Sequence, residues 1–369
     1  MIAAGSTDAF APARLGPITL RNRIIKAATF EGKSPRGLVT DDLVQFHLQV
    51  ARGGAAMTTV AYLAVSPAGR TDRHQIHWRP EALAGLRRLT DAVHAEGAAA
   101  SAQIGHAGPV ADARSNRLPA LAPGRSFQPA TLSRTQAATP ADLDRIVREH
   151  GDAARMAGES GFDAVEIHLG HNYLASSFLS PRLNHRRDGY GGALANRARL
   201  AREIARAVRD AVGGRLAILA KLNMDDGVRG GFGIDEAIQV AQWLEADGSL
   251  DALELTAGSS LLNPMYLFKG PAPIKEFAAA MRHPVLRWGV RIAGRTRLHD
   301  YPYRDAYLLA DAAKVRSAVS LPLILLGGVT DRGVIEAAMA AGFDFVAMAR
   351  ALLREPDLVN RMAADAAVT

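Results

Sequence analysis

The stretch ESGFDAVEIH, residues 159–168, ends a helical pattern at Ser160 and Gly161 and passes at once into an apolar run. The same shape recurs at AEGAAASAQI (95–104) and AAGFDFVAMA (340–349). Glycine favours the end of a helix because it adopts left-handed backbone without steric cost. An apolar run without alternation is typical of a parallel strand covered on both faces. The repeated unit therefore predicts parallel strands joined by helices.

Eight such runs follow one another along the chain, at residues 23–29, 55–65, 98–104, 162–168, 216–222, 250–256, 321–328 and 343–349. Helical patterns lie between them, for example at residues 41–54, 81–97, 195–214 and 330–342. Eight strand–helix units close a barrel, so the prediction is an α/β fold, a single (β/α)8 TIM barrel over residues 1–369. An open doubly wound sheet is the alternative. It requires a glycine-rich phosphate loop after the first strand, and AATFEGKSPRG (27–37) does not match that loop.

Two connections are much longer than the others. The first is the Gly-, Pro- and Ser-rich segment 105–136, and the second is an insertion at residues 258–305, after the sixth strand. Both are expected on the C-terminal face of the barrel, where long connections usually form lids or binding loops. The insertion contains Tyr266, Trp288, Tyr301 and Tyr303, which either line a pocket or pack the insertion onto the barrel.

The composition narrows the class of function. The chain has 48% hydrophobic and 22% charged residues, a formal charge of +7 and no cysteine. The lack of cysteine excludes disulfides, thiolate metal sites and iron–sulfur clusters, and it is typical of a cytoplasmic protein. No apolar run is long enough to span a membrane, and no basic patch interleaves aromatics as nucleic-acid binding would require. We therefore expect a small-molecule partner, with a homo-oligomer left open.

In TIM barrels the chemistry gathers at the C-terminal ends of the strands. The residues at those ends are Ala28, Thr29, Phe30, Tyr62, Gln103, His168, Lys221, Gly327, Gly328, Ala349 and Arg350, with His171 and Tyr173 just beyond. Gly327, Gly328 and Arg350 predict a phosphate site, because glycine lets backbone N–H groups approach an anion and arginine offers a fork of donors. The alternative is a tight turn beside an arginine that pairs with a helix carboxylate.

The segment EIHLGHNYL (166–174) places two histidines three residues apart. They could bind a metal, donate to a substrate oxygen, or be core residues satisfied by the backbone. A metal is not predicted, because no acidic cluster accompanies them and Glu166 is expected to point to the opposite side of the strand. As hydrogen-bond donors they suit an oxygen, with Tyr173 near enough to deliver a proton.

The longer segment EIHLGHNYLASSFLSPRLNHRRDGYGGALANRARL (166–200) resembles the signature of the Old Yellow Enzyme family, the FMN-dependent NADH:flavin oxidoreductases and ene-reductases. The resemblance extends to LRNRIIKAA (20–28), AQIGHAG (102–108), LLGGV (325–329) and FVAMARALLREPDLVNR (345–361), and so covers nearly the whole chain. It implies a cytoplasmic enzyme that binds FMN, accepts hydride from NADH or NADPH and reduces activated C=C bonds. Some members of the wider family carry an iron–sulfur cluster and further domains after the barrel. Because this sequence has no cysteine and ends shortly after the eighth helical pattern, a barrel on its own is expected.

The resemblance also implies a role for each residue. Gln103 and Lys221 would contact the flavin pyrimidine edge, and Ala28, Thr29, Phe30 and Tyr62 would lie against the ring. Gly327, Gly328, Ala349 and Arg350 would hold the phosphate. His168 and His171 would bind the substrate carbonyl oxygen, and Tyr173 would protonate the α-carbon. Lys221 stands where arginine is commonest, Phe30 where Thr or Cys is common, and Tyr62 where Gly or Ala is usual. The rival functions are an oxidative demethylase or dehydrogenase and an FMN-binding barrel with little ene-reductase activity.

Overall fold

A computed structural model of the 369-residue chain describes residues 8–128, 133–280 and 284–364. Thirteen strands occur in these ranges. In chain order they are β1 (Ala13–Leu15), β2 (Ile18–Leu20), β3 (Ile24–Lys26), β4 (Met57–Ala64), β5 (Ala99–Gly105), β6 (Ala120–Ala122), β7 (Phe127–Gln128), β8 (Ser133–Ala137), β9 (Ala164–Leu169), β10 (Ala217–Asn223), β11 (Ala252–Thr256), β12 (Leu323–Leu326) and β13 (Phe345–Met348).

Eight of these strands form a closed parallel barrel in the order β3–β4–β5–β9–β10–β11–β12–β13, with β13 pairing back to β3. Each barrel strand falls within, or within one residue of, a run predicted from the sequence, so the (β/α)8 prediction is confirmed and the open sheet is wrong. The strands close because each is apolar on both faces. Alternate side chains pack inside the barrel and against the outer helices, and a parallel sheet requires both faces to be covered.

Fifteen α-helices surround and cap the barrel in the described ranges. They are α1 (Asp41–Arg52), α2 (Pro80–Ala95), α3 (Ala113–Asn116), α4 (Pro140–Glu159), α5 (Leu174–Leu179), α6 (Leu194–Arg197), α7 (Arg199–Val212), α8 (Ile234–Ala246), α9 (Pro264–Phe268), α10 (Ile274–Ala280), α11 (Pro284–Arg297), α12 (Leu309–Arg316), α13 (Arg332–Ala340), α14 (Arg350–Arg354) and α15 (Leu358–Ala363). None of the helices searched in these ranges is long and apolar enough to cross a membrane.

The bottom of the barrel is closed by a short antiparallel hairpin of β1 and β2 that the sequence did not predict. Leu15 and Leu20 of this hairpin are buried in one apolar cluster with Ile25, Met57 and Phe345 of the barrel strands. The hairpin therefore plugs the N-terminal end of the barrel and leaves the opposite end to the long connections.

Both long connections carry structure of their own. Segment 105–136 contains a 3-10 helix (Gly108–Val110), helix α3 and a small sheet in the order β6–β8–β7, while residues 129–132 lie outside the described ranges. The insertion at 258–305 is largely helical and holds α9, α10 and α11, with residues 281–283 outside the described ranges. Leu267, Phe268 and Tyr303 of the insertion line the same cavity as Gly327 and Gly328, which places this part of it at the C-terminal face.

Candidate active site

Two cavities open at the C-terminal ends of the barrel strands. The large cavity, of about 600 Å³, is lined among others by Ala28, Thr29, Phe30, His171, Lys221, Gly327, Gly328, Ala349 and Arg350. The histidine cavity, of about 120 Å³, is lined among others by Tyr62, Gln103, His168, His171, Tyr173 and Lys221. Every site residue predicted from the sequence therefore lines one or both cavities. Because the two share Ala28, Thr29, Phe30, His171 and Lys221, they form one continuous site.

The two histidines and the tyrosine lie together, as predicted. The ring centroids of His168 and His171 are 5.2 Å apart, and those of His168 and Tyr173 are 4.4 Å apart. Burial, helped by nearby positive charge, lowers the pKa of His171 to about 3 and that of His168 well below its usual value. Burial also raises the pKa of Tyr173 to about 12. At neutral pH the site therefore holds two neutral imidazoles and a protonated phenol.

The two imidazole rings differ in their hydrogen bonding. Nδ1 of His168 is buried and has no hydrogen-bond partner in the described part of the chain. Nε2 of His171 lies 3.0 Å from Oγ1 of Thr256, which orients that ring. A buried polar atom without a partner costs free energy, so the site is suited to a ligand that supplies one.

A strained turn holds His171 in place. His171 and Asn172 have φ values of 58° and 57°, in the left-handed region that non-glycine residues rarely adopt. The Asn172 side chain donates to Asp226 Oδ1 at 3.0 Å and accepts from the Ser259 hydroxyl. His171 also receives a backbone bond from Ser260 N, at 3.1 Å. These contacts fix the turn, because such strain persists only where the surroundings determine the conformation.

A polar row crosses the barrel interior below the histidines. Gln103 Nε2 donates to Glu166 Oε1 at 2.6 Å, Lys221 Nζ lies 3.2 Å from the same oxygen, and Lys221 also bonds to Glu254. Burial alone would lower the pKa of Lys221, but the two carboxylates outweigh it and raise that pKa. Burial and Glu166 together raise the pKa of Glu254. The row therefore keeps a lysine cation at the floor of the site.

The sequence-based expectation for Glu166 was wrong. Glu166 lies inside the barrel beside His168, because side chains alternate along a strand and residues two apart share a face. Glu254 was missed altogether. The signal was available, since Glu166 and Glu254 are the charged residues inside the apolar runs of β9 and β11. A buried carboxylate needs a partner, and Lys221 provides it for both.

A second buried network supports the loop after β3, and it too was missed. Lys26 Nζ donates to Thr29 Oγ1 at 2.9 Å and lies 3.7 Å from Glu31. Glu31 Oε1 in turn accepts from Ala61 N at 3.0 Å and contacts His47 at 3.3 Å. Burial lowers the pKa of Lys26 to about 8. The network ties the strand ends at Thr29 and Ala61 to each other.

Tyr62 and Phe30, which both differ from the common residues of the family, line the opening of the site. The Tyr62 hydroxyl donates to the Gly69 carbonyl, while its ring packs 5.4 Å from that of Tyr173 and lines the histidine cavity. Phe30 is 76% exposed and lines both cavities. Tyr62 thus narrows the cavity with its ring even though its polar tip turns away.

The residues predicted to bind phosphate lie at the C-terminal ends of β12 and β13. Gly327 and Gly328 have φ values of 97° and 74°, and a Cβ on Gly328 would lie 2.7 Å from Ala306 N and from Arg304 O. The close passage of segment 304–308 is therefore one reason for glycine at these positions. Arg350 forms no ion pair with any carboxylate of the described chain, and so it does not pair with a helix carboxylate, which was the alternative to a phosphate site. Its exposed side chain lines the large cavity and interacts with the Tyr307 hydroxyl, and no carboxylate of the described chain neutralises its charge.

Together these features fit an elongated molecule with one anionic end and one polar ring edge. The anionic end matches Arg350, and the ring edge matches Gln103 and Lys221 at the other end of the site. Among the residues that the structure describes, no group of three or more His, Asp or Glu side chains is placed to bind a metal ion. FMN has the size, the phosphate and the pyrimidine edge that this site requires.

Comparison with known proteins agrees with that fit. The model of the NADH:flavin oxidoreductase / NADH oxidase family matches residues 8–257. The chain belongs to this family. It is thus an FMN-dependent oxidoreductase with a reduced nicotinamide as hydride donor, and the predicted family, enzyme class and cofactors are confirmed.

The relatives of this chain within the NADH:flavin oxidoreductase family carry the names of different activities. The chain is 54% identical to the 4,4'-dithiodibutanoate disulfide reductase of Rhodococcus erythropolis over 365 residues, which covers 99% of this chain and 90% of the relative. It is 30% identical to an NADPH dehydrogenase of Listeria welshimeri over 258 residues, covering 68% and 73% of the two chains. The old yellow enzyme homologue from Zymomonas mobilis superposes with a TM-score of 0.76 at 23% identity, covering 98% and 94%, and shows the common fold.

Proposed function

We propose that this enzyme reduces a small acceptor whose developing anion is bound by His168 and His171 and protonated by Tyr173. When bound, FMN supplies the hydride that it has received from NADH or NADPH. The observation that carries the proposal is the grouping of two neutral imidazoles and one buried phenol around a single cavity. The acceptor that this geometry supports best is the activated C=C bond of an α,β-unsaturated carbonyl compound.

The histidines act on the carbonyl oxygen. As hydride adds to the β-carbon, negative charge develops on that oxygen, and two N–H donors held in place stabilise it without reorganisation. The charge of Lys221, which also lines the cavity, favours the same anion. Neutral imidazoles suit this role because each has one N–H to donate and one nitrogen to accept an orienting bond.

Tyr173 completes the reaction by giving its proton to the α-carbon. The product has then gained one hydride and one proton, and the phenolate recovers its proton from water. A pKa raised to about 12 keeps the phenol protonated at neutral pH. The raised pKa also makes the phenol a weaker acid. Proximity offsets this in the proposed reaction, because the Tyr173 ring lies 4.4 Å from that of His168, to which the acceptor would bind.

A linear disulfide is the second candidate acceptor. It is favoured by the 54% identity, over almost the whole chain, to a relative named for 4,4'-dithiodibutanoate reduction. In this reaction hydride adds to one sulfur, the S–S bond breaks, and the other sulfur leaves as a thiolate that takes a proton, giving two thiols. The same donors would stabilise the thiolate, which needs acid catalysis less because a thiol has a pKa of about 8.5.

The compartment and partners follow from the same reasoning. A chain without cysteine suits the reducing cytoplasm, where thiol products also persist. The proposed partner is a small molecule, because the cavities are concave and narrow.

The test is a stopped-flow comparison of the two acceptors under anaerobic conditions. NADH or NADPH should bleach the bound flavin, and 2-cyclohexenone or 4,4'-dithiodibutanoate should restore its colour. Tyr173→Phe should slow enone reduction by about 10²–10⁴-fold and disulfide reduction by less than about 10-fold. A wild-type enzyme that is bleached but reoxidised by neither acceptor would refute both candidates.

A further inference from the structure

A third cavity lies beside the active site, and the proposed reaction does not use it. This side cavity has a volume of about 320 Å³ and is lined by residues 30–32, 34–35, 43, 60–63, 72 and 74–76. It shares Phe30, Ala61, Tyr62 and Gln75 with the histidine cavity. The two cavities are therefore neighbours with a common wall.

The wall between the side cavity and the histidine cavity consists of hydrogen-bonded residues and of one exposed ring. Tyr62 is held by its bond to the Gly69 carbonyl, and Gln75 is held by its bond to the Tyr62 carbonyl at 2.6 Å. Phe30, in contrast, is 76% exposed and lines the large cavity, the histidine cavity and the side cavity alike. An elongated molecule passing Phe30 would occupy both neighbouring cavities.

The interior of the side cavity is suited to a hydrocarbon chain. Leu43, Val60 and Ile76 supply apolar surface. The polar lining groups already have partners within the chain. Glu31 accepts from Ala61 N, and Asp72 accepts from His74 N at 2.7 Å. An apolar arm would therefore gain burial without stripping water from unsatisfied groups.

Basic residues flank the side cavity. Lys33 stands between the lining residues Gly32 and Ser34, and Arg36 follows the lining residue Pro35, so both flank the wall without lining it. Neither side chain forms an ion pair or hydrogen bond with any described residue. Arg73 donates to the ring of His74, which lines the cavity.

Two acidic residues, Glu31 and Asp72, line the cavity, and each has a cation nearby: Lys26 Nζ lies 3.7 Å from Glu31, and Asp72 interacts with Arg70. The excess of cations favours an anionic group beside the cavity.

We propose that the side cavity is a subsite for the non-reacting arm of an elongated acceptor, an apolar chain that ends in a carboxylate. The reacting bond lies at His168, His171 and Tyr173, the chain passes Phe30, and the carboxylate meets Lys33, Arg36 and Arg73. This inference rests on the proposed reduction of a small acceptor and specifies its shape. A symmetric disulfide with two carboxyalkyl arms fits, since one arm enters the side cavity when its sulfur reaches the histidines.

Three enzymes test the subsite. Lys33→Gln with Arg36→Gln removes two cations that flank the cavity, and Ser34→Phe adds a large ring at a lining position. The charge-matched control is Arg148→Gln with Arg155→Gln, on the outer surface of α4. For 4,4'-dithiodibutanoate, KM should rise about 10-fold in each of the first two enzymes and stay unchanged in the control. For 2-cyclohexenone, which has no arm, all three should match the wild type.

Equal changes in KM for the two acceptors would overturn the subsite, because the arm would then make no separate contact. Direct binding keeps the test independent of turnover. Decanedioate matches the length of the disulfide but cannot be reduced, and its Kd is measured by calorimetry on the FMN-loaded enzyme. Binding that weakens about 10-fold in Lys33→Gln with Arg36→Gln supports the subsite even if neither acceptor is reduced. Decanedioate binding that is unchanged in both variants overturns the subsite and leaves the proposed reaction intact.

Discussion

Lys221 is held between two carboxylates inside the barrel, and this local balance of charge should set the potential of the bound flavin. Glu254 Oε2 has no hydrogen-bond partner in the described structure, so this carboxylate is incompletely stabilised. Burial and Glu166 raise its pKa. At low pH Glu254 is neutral and Lys221 faces Glu166 alone. As pH rises through the raised pKa, a second negative charge appears beneath the site.

Glu254→Gln should therefore change the flavin potential in a pH-dependent way. In acid, where Glu254 is already neutral, the variant and the wild type should have the same midpoint potential. As pH rises through the pKa of Glu254, the wild type gains a negative charge that the variant lacks. The midpoint potential of the variant should then lie tens of millivolts above that of the wild type. Potentiometry at several pH values measures this. Glu336→Gln, on the outer helix α13, is the control, and a pH-independent offset would contradict the argument.

The histidine pair should matter for the acceptor and not for FMN. Removing a prepositioned donor to a developing anion typically costs about 2.7–4 kcal/mol in the transition state. His168→Ala with His171→Ala should therefore abolish measurable enone reduction and weaken phenol binding, which a spectral titration follows. FMN content should remain at the wild-type level. Loss of FMN from the double variant would show that these rings hold the cofactor instead.

At the scale of elements, the barrel strands and several of the helices between them were predictable from the sequence, whereas the structure of the long connections was not. β9 and β13 each follow a glycine turn and consist of consecutive buried residues. Their uninterrupted apolar sequences therefore indicated strands that are buried on both faces of the sheet. The hairpin of β1 and β2 has three residues in each strand, too few to show a period. The helices of the 258–305 insertion and the network at Lys26 depend on contacts between distant segments, which no local pattern reports.

The insertion is stabilised by a lysine that lies among tyrosine rings. Nζ of Lys269 lies 3.5 Å from the Tyr266 ring centroid, 4.8 Å from that of Tyr301 and 5.8 Å from that of Tyr307. Tyr266 and Tyr301 thus pack the insertion together, whereas Tyr303 lines the large cavity and Trp288 is exposed. Of the four aromatics expected to line a pocket or pack the insertion, only Tyr303 lines one of the three cavities described here.

Lys269→Met should loosen this end of the insertion. Each cation–π contact contributes about 0.5–1 kcal/mol at a partly exposed site, so local opening should become several-fold more frequent. Limited proteolysis of the FMN-loaded enzyme should then cut the variant faster within residues 258–305. Lys269→Arg retains a cation over the rings and should be cut at the wild-type rate. Equal cleavage of all three enzymes would mean that the rings do not hold this end.

For the whole molecule, buried histidines should make the fold sensitive to acid. Burial lowers the pKa of His106 and His171 to about 3, that of His150 to about 4, and that of His168 well below its usual value. A folded-state pKa below the unfolded value of about 6.5 means that the unfolded chain binds more protons between those two values. The free energy of unfolding therefore falls as pH drops below about 6.5.

Each fully buried histidine contributes up to about 1.4 kcal/mol of lost stability per pH unit in that window. His150 lies on α4, lines none of the three cavities, and donates from Nδ1 to the Ile146 carbonyl oxygen at 2.7 Å, so its replacement leaves the site residues unchanged. Denaturant unfolding of the FMN-loaded enzyme between pH 7 and pH 5 should show a shallower loss of stability in His150→Gln than in the wild type. The exposed His185→Gln should keep the wild-type slope. A slope that is the same in all three proteins would mean that acid acts on other groups, with the paired carboxylates of the surface as the first candidates.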